Sequence, residues 1–149
     1  MSRTKSLYRK VLLVDDDIDE YPILQEALEE VDTDITLLFI NGGYKLDVSK
    51  PLEADLVFLD INMPGCDGFD CLKKIRDSEW KSIPVVMFTT SCHTEQVVKA
   101  YDLGANLFMI KPNSYTKLIQ QLKSLFELDW KDPQITSKSY FMDGVFVPV

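Results

Sequence analysis

The chain has 149 residues, 46% of them hydrophobic, 11% aromatic and 27% charged, with a formal net charge of -8. That is the length of one domain around one well-filled core, and the composition is that of a folded globular protein. An acidic balance with no basic stripe argues against an electrostatic grip on DNA or on an anionic membrane.

The basic head, Arg3, Lys5, Arg9 and Lys10, leads into only four apolar residues, Val11 to Val14. Four are far too few for a signal peptide's core or a membrane span, so the expected location is cytoplasmic. VLLV (11–14) reads as the first strand, and it breaks off into Asp15, Asp16, Asp17, Asp19 and Glu20. Carboxylates this crowded repel, and some must titrate high unless a cation compensates. A helix follows, with Leu24, Ala27, Leu28 and Val31 at helical spacing and Pro22 tolerable in its first turn.

ITLLFI (35–40) is the second strand and ends in Asn41-Gly42-Gly43, which offers nothing reactive. The segment after it, GGYKLDVSKP, allows two helical turns at most. LVFL (56–59) is the third strand; Asp60 stands at its end, then Ile61-Asn62-Met63-Pro64-Gly65, then a helix from Gly68 carrying Phe69, Leu72 and Ile75. PVVMF (84–88) is the fourth strand and ends in Thr89 and Thr90. The next helix runs from about Thr94 to Leu103 and stops at Gly104. LFMI (107–110) is the fifth strand, followed by Lys111-Pro112 and a last helix from Asn113 or Ser114 with Leu118, Leu122 and Leu125 on one stripe. The lone His93 lacks triad partners. Cys66, Cys71 and Cys92 form no C-x-x-C pair and are expected as reduced thiols.

Continuous apolar runs alternating with amphipathic helices predict an α/β fold with a parallel sheet covered on both faces. Ligands of such sheets sit at the carboxyl ends of the strands, where strand order reverses. A doubly wound five-stranded sheet in the flavodoxin-like order 2-1-3-4-5 brings four reactive strand ends together and leaves the empty second strand on the outer edge. Neighbouring strands lie roughly 4.8 Å apart, so Asp16 and Asp60 come within reach of one cation. Carboxylates and a carbonyl with room for water suit Mg²⁺. A lysine and a hydroxyl facing the same spot suit a phosphoryl group. The set reads as metal-assisted phosphoryl transfer to a carboxylate. Each residue alone would be unremarkable, and the acidic run alone would pass for a solvated helix start.

Asp15-Asp16 after an apolar strand, LVFLDINMPGCDG, VVMFTT and FMIKP together resemble the receiver domain of two-component response regulators, over roughly residues 8 to 127. The resemblance implies that Asp60 accepts the phosphoryl group. Asp16 would bind Mg²⁺ directly, Asp15 through water, and Asn62 through its main-chain carbonyl. Thr89 would be the switch hydroxyl, Lys111 the partner of the phosphoryl group, and Phe108 the aromatic that follows the switch. It also implies a cis bond between Lys111 and Pro112. The expected partners are a histidine kinase or phosphotransfer protein and a downstream protein target, with a homodimer plausible and no DNA or membrane binding. A switch rather than a turnover enzyme is expected. Thr90 departs from the small residue usual after the switch hydroxyl, and its bulk is expected to slow loss of the phosphoryl group. Only about 22 residues, 128–149, follow, which is too few for an effector domain. The expectation is a stand-alone, chemotaxis-regulator-like receiver, with a phosphorelay intermediate or phosphate sink as a variant. Tyr140, Phe141, Val145, Phe146 and Val147 leave the tail open between packing on this domain, packing on a twin, and a loose end.

Two other readings use the same acids. A haloacid-dehalogenase-type phosphatase would take Asp15, Asp17, Thr89 and Lys111, but it lacks a downstream acidic pair and leaves Asp60 idle. An EF-hand-like loop would take Asp15, Asp17, Asp19 and Glu26, but Glu20 stands where glycine is needed.

Overall fold

The structure is a computed structural model that describes residues 8–91, 93–127 and 139–148. Five parallel strands occur where the apolar runs predict them: β1 (Lys10–Asp15), β2 (Thr36–Asn41), β3 (Leu56–Leu59), β4 (Val85–Thr89) and β5 (Leu107–Ile110). Among the described residues four α-helices connect or follow them: α1 (Glu20–Val31), α2 (Gly68–Arg76), α3 (Thr94–Asp102) and α4 (Tyr115–Glu127). Strands β1, β3, β4 and β5 are buried nearly throughout, the edge strand β2 is half-buried, and alternate residues enter two cores. On one face Leu12, Val14, Val57, Leu59, Met87 and Phe108 meet Leu72, Ile75, Val97 and Ala100 of α2 and α3. On the other, Leu13, Phe58, Phe88 and Met109 meet Leu24 and Leu28 of α1 and Leu122 and Leu125 of α4.

Helix ends follow from local chemistry. A reciprocal capping box starts α2: the Asp70 N–H donates to Asp67 Oδ1 at 2.9 Å, and the Asp67 N–H to Asp70 Oδ2 at 3.1 Å. Gly104, at φ +101°, ends the turn after α3 as expected of a residue without a Cβ. Its carbonyl accepts from Arg76 Nε and Nη2 at 2.9 and 2.8 Å.

Three features differ from expectation. The weak segment after β2 forms only a 3₁₀ turn, Gly43–Lys45, and the extended chain behind it is tied by Trp80 Nε1 donating to the Lys50 carbonyl at 2.9 Å. The Lys111–Pro112 bond is trans, as is every other peptide bond among the described residues. Residues 139–148 of the tail pack on the domain they follow. Ser139–Met142 forms β6 and Val145–Pro148 forms β7, so the sheet order is β2-β1-β3-β4-β5-β6-β7. β6 runs parallel to β5, with Met109 opposite Phe141, and β7 returns antiparallel. The turn residues Asp143 and Gly144 both have positive φ, 51° and 81°, the geometry of a tight hairpin turn. Phe141 is fully buried in the core beside α4 and meets the Phe146 ring at a tilt, with ring centres 5.0 Å apart.

Cys66 and Cys71 are free thiols, buried, with their Sγ atoms 3.7 Å apart. Burial, reinforced by the neighbouring thiol, pushes Cys71 up to about 12, which keeps it protonated. Cys92 lies outside the described residues. Among the described residues no helix is long and apolar enough to cross a membrane.

Candidate functional site

The sheet order places the ends of β1, β3, β4 and β5 side by side. Oxygens of Asp15, Asp16 and Asp60 all lie within 4.8 Å of one another. Asp15 and Asp60 are buried, while Asp16 is exposed at the mouth. Asp15 ends β1, and its Oδ1 accepts the Asp17 N–H at 3.0 Å, which turns the chain away from the strand towards α1. Asp60 follows β3, where its N–H bonds to the Val14 carbonyl at 3.0 Å and fixes the register of the two acidic strand ends.

Lys111 reaches into this group from the end of β5. Its Nζ donates to Asp15 Oδ2 at 2.9 Å and stands 3.6 Å from Glu20 Oε1 and 3.8 Å from Asp60 Oδ1. Burial alone would lower its pKa, but the bond to Asp15 and the charges of Asp60, Asp15 and Glu20 outweigh it and raise the pKa. The ammonium also sits 5.3 Å from the Phe88 ring centre. Asp60 is pushed the other way from a normal acid, to about 6. Burial is the main cause, Lys111 pulls it down, and Asp15 pushes it up. One lysine therefore does not neutralise three carboxylates. The donor set is all oxygen, crowded and short of positive charge, which fits a hard divalent cation such as Mg²⁺.

Thr89 completes the group. It is fully buried at the end of β4, and its Oγ1 has no hydrogen-bond partner among the described residues. A buried hydroxyl left unsatisfied costs free energy, so this orphan marks a place for an acceptor. Lys111 N–H donates to the Thr89 carbonyl at 2.7 Å, which locks the two residues side by side. Asn62 is exposed and, with Asp16, Met63, Pro64, Gln96 and Lys99, lines a cleft of about 680 Å³ beside the acids. Phe108 is fully buried in the core under α2 and α3. Thr90 is exposed.

The structure thus gathers Asp15, Asp16, Asp60, Thr89 and Lys111, with Asn62 at the rim and Phe108 beneath. Asp17 and Asp19 stand apart: Asp17 Oδ1 accepts the Asp19 N–H at 3.0 Å, a helix-entry turn. The sequence reading missed Glu20, which joins Lys111 from the first turn of α1. Its signal was its place at the helix start after an acidic strand end.

The sequence profile of the response regulator receiver domain matches residues 11–123. The chain belongs to the response regulator receiver family. It is 35% identical over 119 residues to chemotaxis protein CheY-3 of Vibrio cholerae, covering 79% of this chain and 92% of that one. The phosphorylated cyanobacterial phytochrome response regulator RcpA superposes with a TM-score of 0.71 at 27% identity, over 83% of this chain and 94% of that chain. The Mn²⁺-bound form of response regulator Rcp1 superposes with a TM-score of 0.68 at 26% identity, over 83% and 95% of the two chains. The receiver fold expected from the motifs is the fold found, with the β6–β7 hairpin added to it.

Proposed function

We propose that this receiver is a phosphorylation-dependent signalling switch whose acceptor is Asp60, phosphorylated by a histidine kinase or phosphotransfer protein. The observation that carries it is the joint placement of a buried Asp60 and an ion-paired Lys111 in one cluster of carboxylates, with the buried Thr89, whose hydroxyl has no hydrogen-bond partner among the described residues, on the neighbouring strand end. Asp15, Asp16, Asp60 and the main-chain carbonyl of Asn62 would hold Mg²⁺, which supplies positive charge to offset that of acceptor and phosphoryl group together. A carboxylate oxygen of Asp60 attacks phosphorus, the O–P bond forms, and the phosphohistidine N–P bond breaks with the electron pair left on the imidazole. Lys111, 3.8 Å from Asp60, turns to the new phosphoryl oxygens, and Thr89 supplies the hydrogen bond its hydroxyl otherwise lacks. Phe108, behind this pair, couples the movement to the core. Output is by contact with a protein target rather than with DNA, and no turnover on an external substrate is expected.

The test is incubation with Mg²⁺ and acetyl phosphate. A one-phosphate mass gain is expected in the wild type and not in Asp60→Asn. A gain retained in Asp60→Asn would reject the assignment. Thr90 stands exposed next to Thr89, and Thr90→Ala is expected to shorten the aspartyl-phosphate lifetime several-fold by clearing the approach of water. An unchanged lifetime would remove Thr90 from the account.

A further inference from the structure

The β6–β7 hairpin is tied to β5 by two separate hydrogen-bonded routes, one of which ends beside the acidic pocket. In the first, Gln121 of α4 is fully buried and spans from sheet to hairpin. Its Nε2 donates to the Ile110 carbonyl at 2.9 Å, and its Oε1 accepts the Asp143 N–H at 2.8 Å. Ile110 is the residue before Lys111, so one amide side chain joins the lysine's own strand end to the hairpin turn. In the second route, the Tyr101 hydroxyl donates to the Ser139 carbonyl at 2.9 Å and accepts the Phe108 N–H at 3.1 Å. Tyr101 thereby holds the start of β6 to the middle of β5. Phe141 supplies the apolar anchor.

We propose that the hairpin is the responding element of this pocket: the state of the acids, felt by Lys111, sets how firmly β6 and β7 are held on β5. This rests on the switch reading given above. In the unphosphorylated pocket Lys111 is drawn towards Asp15 and Glu20 and keeps the end of β5 in the position that Gln121 spans. When Lys111 turns to a phosphoryl group and Thr89 moves with it, the Ile110 carbonyl and the Phe108 amide shift. Both ties then lengthen together. A buried amide and a part-buried hydroxyl cannot stay half-bonded without cost, so the hairpin opens more often and frees the outer edge of β5. That edge is a row of backbone donors and acceptors able to take a strand from another protein.

Hydrogen exchange read by mass spectrometry on the full chain tests this. With Mg²⁺ and acetyl phosphate, exchange of the backbone amides in 139–148 is expected to rise about fivefold to tenfold, the effect of losing one or two hydrogen bonds. Asp60→Asn should abolish the rise. Gln121→Met should exchange fast in both states and shrink the difference, and Tyr101→Phe serves the same purpose if that variant does not fold. A phosphate mass gain with unchanged exchange in 139–148 overturns the proposal. If no phosphate is taken up, the switch reading fails, and Lys111→Met without any donor still decides the coupling. Faster exchange in the hairpin of that variant supports the link, and unchanged exchange rejects it.

Discussion

Asp60 sits where a carboxylate is poorly solvated, and its pKa of about 6 in place of the ordinary 3.8 has a direct consequence for stability. Between those two values the folded protein keeps a proton that the unfolded chain has released. Its contribution to stability therefore falls as pH rises through that window, and the full penalty remains above it. The gap between Asp60→Asn and the wild type is expected to widen from pH 4 to pH 6 and then level off. Without divalent ions at pH 7.5 the variant should be more stable by about 1–2 kcal/mol in urea unfolding, as expected when a buried charge in a like-charged group becomes neutral. A variant less stable than the wild type would contradict this. At this scale the sequence was informative because the key acids and Lys111 directly follow strands. Glu20 escaped because nothing in a helix-start acid says which way its side chain turns. The Lys111–Pro112 isomer was imported with the resemblance rather than read from the residues, and the structure corrects it.

Elements explain why the strand ends hold their positions. Helix α2 comes so close to the loop below it that a Cβ on Gly68 would lie 2.4 Å from the Asp60 carbonyl oxygen and 2.9 Å from Ile61 Cα. Both are backbone atoms and cannot swing aside. Gly68→Ala is expected to cost about 1–3 kcal/mol and to slow phosphorylation, since the helix must shift against the residue bearing the acceptor. A thermal melt and the acetyl phosphate reaction would show both effects; a variant matching the wild type in each would refute the argument. Strands and long helices were legible because continuous apolar runs and 3.6-residue stripes survive any tertiary context. The segment after β2 was legible as a weak helix only, since Gly42, Gly43 and Pro51 limit it, and a single 3₁₀ turn is what they leave. The hairpin was the real omission. Asp143-Gly144 between Phe141 and Phe146 is a strong turn signal, but four-residue strands are too short to outweigh the expectation that chain ends are loose.

In the whole molecule, the sheet is two strands wider than the five parallel runs required, and the added pair belongs to the core. Phe141 is fully buried against β5 and α4, and Phe141→Ala is expected to cost about 3–5 kcal/mol, measured as a lowered urea midpoint. A cost near zero would mean the hairpin contributes nothing to the fold. The outermost strand has its own consequence. Val145–Pro148 spans four residues, and its last one has no amide hydrogen to offer. A neighbouring molecule that tried to lengthen the ladder there would meet a missing donor within one step. The protein can thus leave apolar side chains such as Val145 in water at its rim and still resist growing into a filament.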